Sequence, residues 1–176
     1  ILHNLRSILK NGTTIVSPFF GGGSFELVLA QDLDFNVIGY DIFGMLTNFW
    51  KQVIENPIYL AQELKKLNAT KEDFTRNRHI LLSYWDKVNP KDLTYKTKKK
   101  VDLTDEEKTR LEDNSILQAA YYYYNMALSY GPMFLGWPSS NEIKPAKWKR
   151  RIAKIENFNA KNIEVRCEDF ESVIET

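Results

Sequence analysis

The spacing of apolar positions changes several times along the chain, and each change marks an element. Thr13-Thr14-Ile15-Val16 is a short β-branched run, while Phe25, Leu27, Val28 and Leu29 repeat at helical spacing, so the pattern predicts strand, glycine turn, helix. Val37-Ile38-Gly39-Tyr40 predicts a second strand, which ends in Asp41. From Met45 to Leu67 the spacing is helical again. Leu46, Phe49, Trp50 and Val53 make one face, Pro57 suits the first position of a second helix, and Leu60, Leu64 and Leu67 continue it. Ahead of all these, Leu5, Ile8 and Leu9 predict a helix over Asn4–Lys10 that stops at Asn11-Gly12.

From Asn68 to about Lys154 the alternation of strand and helix gives way to helices. Thr70 to Val88 has Phe74, Leu81, Leu82, Tyr84 and Trp85 as its apolar positions, and Thr104-x-x-Glu107 is a capping box that opens another helix. Ile116 to Tyr130 is a third, with four adjacent tyrosines, Tyr121 to Tyr124. These are expected to pack the insertion's own core and its seam with the sheet domain rather than to stack on bases. Ser129 to Pro138, rich in glycine, proline and aromatics, predicts a loop. Lys144 to Lys154 predicts a helix with Trp148, Ile152 and Ile155 turned inward, and Asn162 to Cys167 alternates as a strand. The whole reads as an α/β domain interrupted by a helical insertion, divided as 1–67, 68–154 and 155–176.

Composition narrows the class. The 176 residues are 43% hydrophobic and 13% aromatic, enough for a packed core. A single cysteine, Cys167, excludes an internal disulfide and a cysteine-cluster zinc site, and two distant histidines give no reason to expect a metal. A reducing, cytoplasmic setting is therefore expected. The long uncharged run Ser115 to Asn141 is broken by Asn, Gly and Pro and makes a poor membrane span, and Ile1-Leu2-His3-Asn4 does not read as a secretory leader. The net charge of +1 hides an uneven distribution. Lys96 and Lys98-Lys99-Lys100 form one cationic cluster; Lys144, Lys147, Lys149, Arg150, Arg151 and Lys154 form another. Because Ile152 and Ile155 already account for the buried side of that helix, Lys144, Lys147, Lys149, Arg150 and Arg151 are expected to meet the phosphates of duplex DNA.

The chemistry is concentrated in Ser17-Pro18-Phe19-Phe20-Gly21-Gly22-Gly23-Ser24. Glycines without a Cβ let a ligand approach the backbone where a helix N-terminus presents free N–H groups, and Asp41 at the tip of the second strand suits ribose hydroxyls. The spacing does not choose the ligand, since dinucleotide enzymes and methyltransferases share it.

The wording is more selective. Pro18-Phe19-Phe20-Gly21-Gly22-Gly23-Ser24 resembles the Pro-Phe-x-Gly-x-Gly-Ser of the DNA adenine methylase (Dam-like) family; Tyr40-Asp41 followed by Leu46, Asn48 and Phe49 resembles its second motif, and Asp169-Phe170 an element after its next strand. The resemblance implies a Rossmann-like S-adenosylmethionine-dependent methyltransferase sheet, incomplete in this chain, with a helical target-recognition insertion. It implies transfer of a methyl group from S-adenosylmethionine to N6 of a flipped adenine at specific sites in duplex DNA, as in restriction-modification enzymes. The donor would lie along Pro18, Phe19, Phe20, Gly21, Gly22 and Gly23, with Asp41 on the ribose and Asp169 and Phe170 by its adenine; the Ser129–Pro138 loop would reach toward DNA. Ser17 stands where the family has an acid.

The family's catalytic Asp-Pro-Pro-Tyr does not occur in the chain. Asn56-Pro57-Ile58-Tyr59 looks like it but lacks the second proline and sits in a helical pattern, so it reads as a helix start. The resemblance places the motif just beyond Asp169-Phe170, hence after Thr176, on a continuation or a second chain, and places a Lys-x-Gly-x-Lys-like segment before Ile1. Two alternatives remain open: a split or inactive methylase subunit that binds donor or DNA only, and an NAD-type nucleotide-binding module. The Phe-Phe before the glycines and the large helical insertion weigh against the latter.

Overall fold

Three strands and seven helices form among the described residues, 8–10, 12–91 and 102–171, of the computed structural model. In chain order they are β1 (Thr14–Ser17), α1 (Ser24–Gln31), β2 (Asn36–Tyr40), α2 (Gly44–Glu55), α3 (Pro57–Lys65), α4 (Lys71–Val88), α5 (Asp105–Thr109), α6 (Ser115–Leu128), α7 (Pro145–Glu156) and β3 (Ile163–Arg166). They gather into two compact units, Ile1–Glu55 with Phe158–Thr176, and Asn56–Asn157. Most of the helix expected over Asn4–Lys10 and the cluster Lys96, Lys98, Lys99 and Lys100 lie outside the described residues.

The first unit is a parallel sheet in the order β1-β2-β3, with Ile15 paired to Val37 and Val37 to Ile163. Parallel neighbours need a crossover, and α1 supplies it between β1 and β2. After β2 and α2 the chain runs through the whole second unit before it returns as β3. The core gathers Leu29, Leu33, Phe35, Val37, Tyr40, Met45, Phe49, Trp50, Val53 and Ile163, all buried. Two positions depart from the apolar period. Phe25 is 49% exposed while Glu26, one residue on, is buried; Met45 rather than Leu46 fills the core-facing position of α2. The departures are local to the first turn of each helix: Leu29 of α1 and Phe49, Trp50 and Val53 of α2 are buried at their expected positions.

Phe20 is the keystone under the strand tips. Its ring is 2% exposed, meets Trp50 edge-on at 5.3 Å, and lies over Gly39 so closely that a Cβ there would stand 2.0 Å from Phe20 Cδ2. Gly23, at φ +64°, is enclosed by the same ring and by Trp50.

The second unit is helical. Leu60, Ala61 and Leu64 of α3 are buried where that helix packs on α6 and α7, so α3 belongs with the insertion's helices. Asn56-Pro57-Ile58-Tyr59 is the start of α3, with proline at its first position. Helix starts are capped as their side chains suggest: Thr70 accepts from Asp73 N–H, Asn114 from Leu117 N–H, and Thr104 and Glu107 form the expected capping box. The Arg76 guanidinium, together with the Thr104 N–H, holds the Glu107 carboxyl down to about 2. Tyr121, Tyr122 and Tyr124 are buried, and Tyr123 stacks on Trp148 at 6.1 Å. The Tyr124 hydroxyl donates to Asn68 O at 2.6 Å and Trp148 Nε1 to Leu67 O at 2.8 Å, so the aromatic core hides few unmet polar groups. No described helix is long and apolar enough to cross a membrane.

Gly39→Ala is expected to destabilise the sheet unit by about 1–3 kcal/mol or more, since the methyl group must displace the Phe20 ring. Urea denaturation of the variant checks this: an unchanged midpoint would mean that Phe20 has room to move.

Candidate functional site

At the tips of β1 and β2 the backbone is held by a few hydrogen bonds. Asp41 Oδ2 accepts from Gly21 N–H at 3.0 Å and its Oδ1 from Phe43 N–H at 2.9 Å, so one carboxylate joins the glycine turn to the loop after β2. Asp41 N–H in turn donates to Arg166 O at 3.1 Å, tying the tip of β3 to the same point. Phe20 N–H donates to Tyr40 O at 2.8 Å, and Trp50 Nε1 reaches Gly21 O at 3.1 Å. A turn whose first glycine stands at φ +49° is thereby fixed from both sides.

The residues expected to hold a donor divide into two sets. Phe19, Gly21, Gly22 and Pro18 face outward or are half-buried, and a Cβ on Gly21 or Gly22 would meet nothing within 4 Å, so the space above the turn is open. Phe19 is 69% exposed and its ring lies 5.1 Å from that of Phe170, an aromatic pair left to solvent beside the turn. Asp169 is exposed, and its Oδ1 accepts from Glu171 N–H at 3.1 Å. Phe20 and Gly23 form the second set: both are buried, so they support the turn from below. A cavity of about 560 Å³ also opens in this unit between α2 and β3, lined by Gly44, Thr47, Lys51, Glu164 and Arg166 among others, but none of the glycine-turn residues borders it.

Two contributors to this site are absent from the sequence reading. Trp50 stood out only as a core residue, and its indole N–H has a second task at Gly21 O. Glu26 is buried and accepts the Ser17 hydroxyl at 2.6 Å. The one available signal was an acid in the first turn of an otherwise apolar helix.

The model of the D12 class N6 adenine-specific DNA methyltransferase family matches residues 1–176. The chain belongs to that family. No curated protein matches it. The chain is thus a D12 class DNA methyltransferase by family, and its helical unit can be read for contacts with DNA.

In this D12 methyltransferase, α7 carries the expected cations. Lys149 and Arg150 are exposed, as is Lys144 just ahead of the helix. Lys147 and Arg151 are engaged differently: both pair with Glu142, at 3.2 and 2.6 Å, and Arg151 also donates to Ala127 O. Their hydrogen bonds, first that of Arg151 and then that of Lys147, pull the Glu142 carboxyl below its usual range.

The 129–138 segment is a short closed loop. Ser129 and Pro138 form an antiparallel bridge, and Tyr130 N–H donates to Trp137 O at 2.8 Å. Leu135 sits in the left-handed region at φ +53°, unusual for a branched side chain, and is gripped at both ends. Its N–H donates to Asn125 Oδ1 at 2.7 Å, and its carbonyl accepts from Arg78 Nε at 2.8 Å. Arg78 and Asn125 are both buried, and burial lowers the Arg78 pKa. Arg78 Nη1 and Asn125 Nδ2 are the buried side-chain polar atoms left without a hydrogen-bond partner among the described residues, so both unmet donors belong to the two side chains that grip this one residue. On the outside the loop displays Tyr130, Met133 and Trp137, with the Arg78 guanidinium 4.6 Å from the centre of the Trp137 ring.

Asn125→Ala removes the acceptor of a buried N–H on a strained residue, and is expected to cost about 1–3 kcal/mol. Hydrogen exchange of the Leu135 amide, compared with that of amides in α3, checks whether the loss is confined to this loop.

Proposed function

We propose that the protein binds S-adenosylmethionine at the glycine turn and methylates N6 of an adenine flipped out of duplex DNA. The observation that carries the reading is the hydrogen bond from Gly21 N–H to Asp41, which brings the two halves of a nucleoside-binding signature to one place. Open space above Gly21 and Gly22, and the exposed Phe19 and Phe170 rings beside them, suit a flat nucleoside with an extended tail. A Rossmann-like sheet is consistent with three parallel strands whose ligand-binding loops follow β1 and β2.

When bound, S-adenosylmethionine supplies an electrophilic sulfonium methyl group. The chain's part is to hold and orient. Asp41 keeps the turn in register and offers its carboxylate to the ribose hydroxyls; Phe19, Pro18, Gly21 and Gly22 border the sugar and methionine portions, with Phe20 and Gly23 supporting them from below; Asp169 and Phe170 flank the adenine. The helical unit reads as the target-recognition part. Lys144, Lys149 and Arg150 meet phosphates, Lys147 and Arg151 stiffen the same surface through Glu142, and the loop bearing Tyr130, Met133 and Trp137 approaches the bases. The residues that hold the acceptor amine are assigned to an Asp-Pro-Pro-Tyr, a motif that does not occur among these 176 residues.

Calorimetry with S-adenosylmethionine and with NADH tests the donor: binding of NADH alone would replace this reading with that of an oxidoreductase module. Asp41→Ala is expected to weaken S-adenosylmethionine binding by about 1–3 kcal/mol, as the loss of a charged hydrogen-bond partner would. Unchanged affinity would remove Asp41 from the site. For DNA, Lys149→Ala and Arg150→Ala should each lower the slope of log affinity against log salt by about 1, whereas Lys147→Ala should change it less because that ammonium is already paired. Electrophoretic mobility shifts over a salt series report the difference.

A further inference from the structure

Glu26 is the one acidic side chain buried among the described residues, at 7% exposure. It lies in the first turn of α1, and its Oε1 accepts the hydroxyl of Ser17 at the tip of β1. No ion pair among the described residues reaches it, so this carboxylate is withdrawn from water with a hydroxyl group in place of a cation. Burial of that kind costs free energy unless a cation or further donors complete the shell.

The fold itself has no evident use for it. A glutamate at this helix position ordinarily reaches back to the N–H of the capping residue. Here Gly23 N–H is already given to Phe20 O at 3.0 Å, and no side chain caps the helix. The carboxylate crosses instead to Ser17, at the edge of the turn above which Gly21 and Gly22 leave open space. Exposed aromatic rings beside the turn and a buried acid bonded to Ser17 together suit a ligand that combines a flat nucleoside with a positive charge.

Building on the donor reading above, we propose that the Glu26 carboxylate, held in place by Ser17, receives the cationic amino group of the donor's methionine part. The site should then discriminate between adenosine thioethers that carry an amino-acid ammonium and those that do not.

Calorimetry with S-adenosylhomocysteine, which has the ammonium, and 5′-methylthioadenosine, which lacks it, tests the assignment without any methyl transfer. Glu26→Gln should lower affinity for S-adenosylhomocysteine by about tenfold or more and leave methylthioadenosine within about twofold. Equal losses for both nucleosides, or none, would overturn the assignment and leave Glu26 a structural residue, even while the donor reading stands. If the unaltered protein binds neither nucleoside, the donor reading fails and this assignment with it. Should Glu26→Gln not fold, as judged by circular dichroism, Ser17→Ala takes its place, since it removes the hydroxyl that holds the carboxylate. A selective loss of affinity for S-adenosylhomocysteine over 5′-methylthioadenosine in that variant supports the proposal, and an unchanged ratio of the two affinities overturns it.

Discussion

One carboxylate fixes the strand tips of the sheet unit. Asp41 accepts from Gly21 N–H on one side and Phe43 N–H on the other, and its own N–H goes to the last residue of β3. The tips of all three parallel strands therefore meet at this residue. Without it Gly21 N–H would lose its acceptor, and left-handed backbone at Gly21 and Gly23 is held in place by engaged N–H and C=O groups, here Gly23 N–H on Phe20 O and the Trp50 indole on Gly21 O.

The helical unit meets an equivalent demand by other means. Its core is aromatic, and aromatic cores with hydroxyl and indole groups need acceptors. Tyr124 and Trp148 find theirs in the backbone carbonyls of the segment between α3 and α4, at Asn68 and Leu67. The loop after α6 is gripped from inside by Asn125 and Arg78, which fix a strained Leu135 so that Tyr130, Met133 and Trp137 stay on the surface. Orphaned donors on both gripping side chains show that geometry there takes precedence over complete hydrogen bonding. Around α7 the cations divide into two kinds: Lys147 and Arg151 are bound up with Glu142, while Lys149 and Arg150 remain in solvent. Cations already paired lose a partner when they turn to phosphate, so the solvated ones are the better electrostatic contacts.

Membership of the D12 class family and the geometry at the strand tips support each other from different directions. The family match places DNA methylation on the chain as a whole, whereas the hydrogen bonds at Gly21 and Asp41 concern a site of a few residues.

Much of this was legible in the residues alone. The strands and most helices follow from apolar spacing, Thr70 and the Thr104–Glu107 box announce their caps, Pro57 announces a helix start, and the glycine turn and Asp41, singled out by their spacing, stand hydrogen-bonded to each other, because each of these signals is local and depends on a few neighbouring residues. What the local pattern could not show is which side of a motif faces inward. Phe19 and Phe20 are adjacent and alike, yet one ring is solvent-exposed and the other lies against Gly39, a residue on a different strand. Glu26 lies in a run of apolar residues and is buried because Ser17 awaits it across the turn. Lys147 and Lys149 read identically until Glu142 takes one of them. Such outcomes are set by partners distant in the chain, and only the folded structure brings those partners together.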